Sequence, residues 1–191
     1  MDTSILNKEH IFSYDPGFTS TAACKSAITY VDGEKGELLY RGYPIEQLAK
    51  KCDFLDVSYL LFNGELPNSK EKEVYSSNIN GQSLLHDQLN NVFRGFRRDA
   101  HPMAVMVGVV GSMAAFYFDN MNINNRNHRK VSANRLLAKV PTIAAWSHTY
   151  NLGLPFVYPK HDLSYVANIL NMMFSSPNKP YHINPVLIRA F

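Results

Sequence analysis

The feature that most constrains the fold is an apolar stretch from His101 to Tyr117. Pro102 favours the start of a helix there, because the N–H groups of the first turn have no acceptor within the helix. No charged residue occurs between Met103 and Tyr117, so the predicted helix 102–117 has no polar face for water. The stretch is shorter than the roughly 18–20 apolar residues that cross a membrane. We therefore predict no membrane span but a buried helix, whose burial a second subunit completes.

The composition is that of an ordinary globular protein and limits the possible functions. With 191 residues, 46% of them hydrophobic, the chain is long enough for one sizeable core or for one domain plus part of another. A formal net charge of +3 is too small to indicate a nucleic-acid partner. Cys24 and Cys52 form neither a disulfide framework nor a zinc-ligand pattern, which is typical of a reducing compartment. Because the first residues lack an apolar run of signal-peptide length, we expect a cytoplasmic protein.

Residues 1–44 are predicted to contain irregular structure followed by a small β-hairpin. Tyr14–Phe18 carries a Pro-Gly turn signal. Two runs rich in β-forming residues, Ala27–Val31 and Leu38–Tyr40, lie on either side of a glycine-bearing turn. This N-terminal segment is therefore predicted to be the β part of a mainly α protein.

Residues 45–191 are predicted to be helical, because apolar residues recur at helical spacing between recognisable caps and stops. Pro141 lies near the middle of one predicted helix and is expected to kink or break it. Ser83 is expected to cap the helix that carries an apolar stripe from Leu85 to Phe96. The predicted helices are Ile45–Lys50, Phe54–Phe62, a third from Asn68 or Ser69 to Ile79, a fourth after Ser83, 102–117, Arg129–Tyr150, a seventh after Asp162 or Ser164, and an eighth at Asn184-Pro185.

Few residues form a catalytic or metal-binding motif by spacing alone. No two of the seven histidines are four residues apart and none belongs to a Cys/His cluster, so no metal site is predicted. The sequence also has neither a phosphate-binding glycine-rich loop nor a nucleophile elbow. His101, directly before a predicted helix, can either cap that helix or hold a substrate oxygen.

Arg135 and Lys139 are four residues apart and therefore share one face of a predicted helix. Two cations on one face, with few acids nearby in the sequence, can receive a phosphate or a carboxylate. A solvated basic face is the alternative, and the spacing does not decide between the two. The same two interpretations apply to Arg94, Arg97 and Arg98.

Several longer stretches carry a likeness to a known family. They are Tyr14–Ala22, Ile28–Gly33, Tyr40–Ile45, Phe96–Met106, Leu136–Thr142, Pro155–Pro159 and Asn168–Phe174. In sequence and in order along the chain, these stretches resemble bacterial citrate synthases, in particular those of the Gram-negative type. Since they cover nearly the whole chain, the sequence is identified by its motifs as a member of that family.

The resemblance implies a citrate-synthase-like helical fold and a condensation of acetyl-CoA with oxaloacetate and water, which gives citrate and CoA. In the family an Asp removes a methyl proton from the thioester and a His stabilises the resulting enol. Acetyl-CoA is a substrate there, and no metal or bound cofactor takes part. The family's catalytic His and Asp correspond to positions beyond Phe191, so the resemblance assigns no catalytic residue to this chain. Residues 45–191 would be the helical N-terminal half of the large domain, truncated at its C-terminal end and inactive alone.

The resemblance also implies partners and a regulatory site. Family members form homodimers or hexamers, here through the helices near 102–117 and 134–150. Tyr117, Arg135 and Lys139 match part of an allosteric site at which NADH inhibits Gram-negative members, which would give the cationic pair a role with nucleotide phosphates. Gly81–Ser83 replace an Arg-His-Thr sequence of the NADH-binding relatives, which removes one cation and one imidazole.

The sequence is also compatible with other functions. A 2-methylcitrate synthase would use propionyl-CoA in the same type of reaction. A non-catalytic helical assembly or nucleotide-sensing module would keep the fold without the chemistry. A nucleic-acid-binding protein would need a strongly basic domain with interleaved aromatic residues, and the composition does not indicate one.

Overall fold

The described part of the chain contains eight α-helices and one small sheet. The computed structural model describes residues 15–18 and 24–191. Its strands are β1 (Thr29–Asp32), β2 (Glu37–Tyr40) and β3 (Tyr43–Pro44). Its helices are α1 (Ile45–Lys51), α2 (Phe54–Asn63), α3 (Ser69–Gly81), α4 (Leu89–Arg94), α5 (Pro102–Ser112), α6 (Arg126–Asn151), α7 (Tyr165–Phe174) and α8 (Pro185–Ala190). The predicted mainly α fold with a small N-terminal sheet is confirmed.

The sheet is antiparallel, with the strand order β1-β2-β3. The predicted hairpin is present, and Thr29 pairs with Tyr40 across it. Asp32 closes the turn, because its carboxylate accepts the N–H groups of Glu34 and Lys35 at 3.1 and 3.0 Å. The sequence pattern does not predict β3, since two residues are too few to show a strand periodicity.

The predicted turn at Tyr14–Phe18 lies partly outside the described residues. Within them, Pro16–Phe18 forms a short 3₁₀ turn in which Gly17 has a φ of 75°. This left-handed conformation is readily adopted by glycine because it has no Cβ. The expectation of irregular structure for residues 1–14 and 19–23 lies outside the described residues.

Side-chain caps begin several helices at the positions that the sequence predicts. At α3, Asn68 accepts the N–H of Glu71 at 3.0 Å, and the Glu71 carboxylate accepts the N–H of Asn68 at 2.9 Å. Ser164 caps α7 and Asn184 caps α8. Gly64 ends α2 in the left-handed conformation, with a φ of 95°. Local chemistry therefore determines these termini.

The predicted start of the fourth helix at Ser83 is wrong. Helix α4 begins at Leu89, and the Ser83 hydroxyl donates to the Asn80 carbonyl at 2.7 Å instead of capping a helix. The Ser83 carbonyl accepts a hydrogen bond from the Thr142 hydroxyl of α6 at 2.9 Å. Because α6 binds the backbone of this segment, residues 83–86 stay non-helical and α4 starts later.

Helix α5 is buried on one side only, so the chain by itself supplies part of the predicted burial and the contribution of a second subunit stays a prediction. It ends at Ser112, and a 3₁₀ turn continues the backbone over the next three residues. Val105 and Val109 are fully buried, whereas Val107 is 71% exposed.

Among the residues that the structure describes, no helix is long and apolar enough to cross a membrane.

Helix α6 runs through Pro141, and the predicted break is absent. Proline has no N–H, so the carbonyl four residues earlier, that of Leu137, loses its helical hydrogen bond. The hydroxyl of Tyr165 in α7 donates to this carbonyl at 2.8 Å. A side chain from the neighbouring helix thus replaces the missing donor, and α6 continues to Asn151.

Two hydrophobic clusters form the core, and α6 contributes to both. The larger cluster contains Ile143, Trp146 and Tyr150 of α6, which pack against residues of α4 and α5. The smaller cluster contains Ala138 of α6, which packs against residues of α2 and α3. The change from one cluster to the other along α6 falls at Pro141.

The segment 154–159 has no regular secondary structure and covers Trp146. The ring of Phe156 stacks on the indole with 4.5 Å between centroids, and Tyr158 meets the indole edge-on at 5.2 Å. The indole N–H donates to the carbonyl of Val157 at 2.9 Å. Ring stacking and a satisfied indole donor together hold the segment against α6.

Replacing Gly108 by alanine tests how closely α5 packs on the segment after α4. An added Cβ would overlap the ring of Phe96, so the ring or the helix must move. We expect Gly108→Ala to lower the free energy of unfolding by about 1–3 kcal/mol, measured by urea unfolding with Trp146 fluorescence. Gly111→Ala, in the same helix with nothing within 4 Å of its added Cβ, is the matched control and should be neutral or stabilising. Equal losses in both variants would contradict the packing.

Candidate functional site

The structure brings Tyr117, Arg135 and Lys139 together, and we call these three residues the Tyr117 cluster. The guanidinium carbon of Arg135 lies 4.6 Å from the centroid of the Tyr117 ring, and the Lys139 Nζ lies 5.1 Å from the same centroid. Both distances are within the range of cation–π interactions. Helix α6 supplies the two cations one turn apart, and Tyr117 lies between the 3₁₀ turns that follow α5.

Lys139 is 6% exposed, so a solvated basic face is the wrong interpretation for this residue. Its ammonium donates to the carbonyl of Gln82 at 2.8 Å and also to the carbonyl of Leu84. Burial lowers the pKa of Lys139 to about 8, and the positive charge of Arg135 acts in the same direction. Lys139 therefore holds the segment before α4 against α6 and keeps one of its three hydrogens for another acceptor.

Arg135 is the more accessible cation of the Tyr117 cluster. Its Nη1 donates to the Tyr117 carbonyl at 3.3 Å and lies 3.5 Å from Oδ1 of Asp119. The side chain of Asp119 is 63% exposed and that of Arg135 is 16% exposed, so this ion pair lies at the edge of the solvent-accessible surface. An incoming anion can therefore compete with Asp119 for the guanidinium.

The Tyr117 cluster is suited to binding an anion rather than to acid–base chemistry. Burial raises the pKa of Tyr117, although the nearby Arg135 opposes this effect, so the phenol is neutral near pH 7. Lys139 is enclosed and engaged by two carbonyls. The charge that these residues present to solvent is therefore mainly that of Arg135.

The three other arginines that were candidates for an anion site, Arg94, Arg97 and Arg98, do not form one site. Arg97 forms two hydrogen bonds with the carboxylate of Asp99, at 2.9 and 2.6 Å. Arg98 donates to the Tyr150 carbonyl at 3.3 Å and lies 5.1 Å from the Tyr150 ring, so it binds the C-terminal end of α6. Arg94 lies exposed in the last turn of α4.

His101 is a helix cap, the first of its two predicted roles. Its Nδ1 accepts the N–H of Met103 at 3.2 Å, at the start of α5. Across residues 15–18 and 24–191, no three or more His, Cys, Asp or Glu side chains are grouped so that they could hold a metal ion.

An apolar cleft that the sequence does not reveal lies between α1, α2, α3, α7 and α8, and we call it the α8 cleft. Its volume is about 540 Å³, and its lining includes Leu48, Val57, Tyr165, Ile188 and Phe191. Because the lining combines three consecutive helices, α1 to α3, with the distant α7 and α8, no local periodicity could have predicted it.

Replacing Lys139 by methionine tests its role as a backbone clamp. The carbonyls of Gln82 and Leu84 would lose a charged donor, so we expect the free energy of unfolding at pH 7 to fall by about 1–3 kcal/mol. Lys130→Met, at an exposed position of the same helix, is the matched control and should change it by less than about 0.5 kcal/mol. Urea unfolding of both variants provides the measurement.

The loss of unfolding free energy caused by Lys139→Met is also expected to depend on pH. The pKa of Lys139 is lowered to about 8 in the folded chain, so above pH 8 the unfolded chain binds this proton more tightly than the folded chain does. The stability contributed by Lys139 therefore rises with pH from about 8 towards 10.5. We expect the destabilisation by Lys139→Met to be larger at pH 9.5 than at pH 7, and a smaller value at pH 9.5 would contradict the burial of a charged lysine.

A family model described as "Citrate synthase, C-terminal domain" matches residues 17–191. Solved structures of citrate synthases are similar to the chain. The one from Pyrobaculum aerophilum has a TM-score of 0.79 and 30% identity, over 99% of this chain and 49% of its own. The one from Thermotoga maritima has a TM-score of 0.74 and 26% identity, over 92% of this chain and 44% of its own.

A third similar structure is the citrate synthase of Thermoplasma acidophilum in a ternary complex with carboxymethyl coenzyme A and oxaloacetate. Its TM-score is 0.78 at 23% identity, over 90% of this chain and 43% of its own, so it bears on the fold alone. The chain spans just under half the length of each of these three structures. Since the family model matches most of the sequence, the chain belongs to the citrate synthase family.

Proposed function

We propose that the chain is part of a citrate synthase that condenses acetyl-CoA with oxaloacetate and water to give citrate and CoA. This reaction is an acyl transfer and the first step of the tricarboxylic acid cycle. The observation that carries the proposal is the family match over residues 17–191, together with the fold shared with citrate synthases.

In this proposal the chain supplies the helical N-terminal half of the enzyme and none of its catalytic residues. The general base and the enol-stabilising histidine of the reaction would come from the remaining half of the protein, and acetyl-CoA acts as a substrate with no bound cofactor. The chain by itself is then inactive. Its contribution is a scaffold of packed helices.

We further propose that the enzyme is a cytoplasmic homodimer or hexamer of the Gram-negative bacterial type. The exposed side of α5 supports a second copy as a partner, because Met103 and Val107 are 57% and 71% exposed there. A contact of α5 and α6 with the same helices of a second subunit would remove this apolar surface from water.

An assay of the CoA thiol released in the reaction tests the proposed function. The coding sequence is read beyond the codon for Phe191, the complete frame is expressed, and free CoA is followed with acetyl-CoA and oxaloacetate. We expect turnover by the complete protein and none by the 191-residue chain. Preference for propionyl-CoA would favour a 2-methylcitrate synthase, and no turnover of either thioester by a folded complete protein would favour a non-catalytic module.

A nucleotide site at the Tyr117 cluster is a second proposal, and the convergence of Tyr117, Arg135 and Lys139 favours it. The phosphates of NADH would bind Arg135, whose present partner is an exposed carboxylate. Buried Lys139 would add positive potential and one free hydrogen. The tyrosine ring would keep the two cations in place.

The condensation assay also tests the nucleotide site. NADH should inhibit the complete enzyme, and Arg135→Gln should weaken the inhibition about tenfold or more, relative to the uninhibited rate of the same variant. Arg126→Gln, at an exposed position in the first turn of α6, is the matched control and should leave the inhibition constant within about twofold. Equal inhibition of all three proteins would contradict a role for Arg135.

A further inference from the structure

We propose that the start of α6 and the connection before it form a surface that binds the anionic headgroups of a membrane. Six exposed side chains, three apolar and three cationic, make up this surface, which we call the basic–apolar patch: Phe118, Met121, Ile123, Arg126, Arg129 and Lys130. The attachment would be peripheral, since no helix of the described residues is long and apolar enough to cross a membrane. It is independent of the reaction proposed above.

Hydrogen bonds hold the connection 117–123 antiparallel to the first turns of α6. Arg129 donates to the carbonyl of Ile123 at 2.6 Å. The hydroxyl of Ser132, three residues further along the helix, donates to the carbonyl of Asn120 at 2.7 Å. The exposed apolar side chains of the connection therefore lie beside the cations of α6.

The apolar members of the patch project into solvent. The exposed fractions of Phe118, Met121 and Ile123 are 75%, 55% and 76%. Side chains this exposed do not line a groove of the kind that receives a peptide or an amphipathic helix. They are instead placed to enter the boundary between headgroups and acyl chains, where burial of apolar area strengthens binding.

The net positive charge of the chain is concentrated at this surface. Positions 117–135 contain four cationic residues and one acidic residue, a formal net charge of +3, which is also the formal net charge of the whole chain. The rest of the sequence is therefore formally neutral. The single acid of this stretch, Asp119, pairs with Arg135. The three cations of the patch are three or four residues apart along α6, or adjacent, so they present one positive face to an anionic leaflet.

Two other partners fit the patch less well. In a two-fold contact with a second copy of the chain, the patch would meet itself, and its like charges would repel. Single-stranded nucleic acid binds through several aromatic side chains on which the bases stack, and Phe118 is the only aromatic member of the patch. An anionic lipid surface matches both the charge and the projecting apolar groups.

Sedimentation with vesicles tests the proposal on the protein expressed from the complete reading frame. Vesicles of phosphatidylcholine alone are compared with vesicles that also contain about one third phosphatidylglycerol, at low and at high salt. We expect binding to the anionic vesicles to be at least about tenfold tighter than to the neutral ones, and to weaken at high salt. Absence of binding, or equal binding to both kinds of vesicle, would overturn the proposal.

Lys130→Glu tests the cationic part of the patch. The substitution reverses one charge near the N-terminus of α6, where a carboxylate is compatible with the helix dipole. We expect the affinity for anionic vesicles to fall at least about tenfold. Lys70→Glu, exposed in the first turn of α3, changes the net charge equally and should alter the affinity by less than about twofold. Equal losses in both variants would overturn the assignment to this surface.

Ile123→Asn tests the apolar part of the patch. We expect the affinity for anionic vesicles to fall at least about fivefold, because the side chain no longer gains by leaving water. Val74→Asn, at a position of α3 that is 62% exposed, is the matched control and should change the affinity by less than about twofold. The Tm of both variants should stay within about 2 °C of the parent protein, which separates lost binding from unfolding. An unchanged affinity of Ile123→Asn would overturn the insertion of apolar side chains.

A soluble polyanion distinguishes a lipid surface from an acidic protein partner. Polyglutamate carries the charge of an acidic polypeptide without an apolar phase. Binding to polyglutamate that is lost in Lys130→Glu, together with no binding to anionic vesicles, would assign the patch to an acidic polypeptide and overturn the lipid proposal.

Discussion

The hydrogen bond from the Tyr165 hydroxyl to the Leu137 carbonyl is the contact on which the arrangement of the helices depends. Pro141 removes the helical donor to that carbonyl, and a carbonyl enclosed without a donor costs about 1–3 kcal/mol. Because α7 supplies the donor, α6 continues through the proline and reaches both hydrophobic clusters. Ala138 and Trp146 therefore keep a fixed spacing on one rigid helix, and the two clusters act as a single core.

The polar contacts at the candidate site also depend on α6 being one continuous helix. Thr142 and Lys139 bind the carbonyls of residues 82–84, and Arg135 lies one turn earlier beside Tyr117. The cationic pair therefore combines a buried structural clamp, Lys139, with a guanidinium that is partly exposed. A ligand anion at Arg135 would bind to a part of the molecule that is already held in place by α7 and by the core.

Local signals predict much of the fold, and tertiary contacts explain the rest. The capping residue Asn68 and the stop at Gly64 act within one turn of the chain, so the sequence shows them directly. Ser83 looks like a cap but binds elsewhere because α6 engages its carbonyl, and Pro141 looks like a break but is compensated by α7. At the candidate site, spacing places Arg135 and its neighbouring lysine on one face, yet it cannot show which of the two is buried. The α8 cleft brings α7 and α8 to the distant helices α1, α2 and α3, so no local pattern in the sequence reveals it.

A double-mutant cycle between Tyr165 and Pro141 tests the central role of the compensating hydrogen bond most directly. Tyr165→Phe removes the donor, and Pro141→Ala restores the helical N–H that the Leu137 carbonyl lacks. We expect Tyr165→Phe to cost about 1–2 kcal/mol of unfolding free energy in the native background and at least about 1 kcal/mol less in the Pro141→Ala background. The same cost in both backgrounds would show that the carbonyl does not depend on Tyr165, and would contradict this account of how α6 remains continuous.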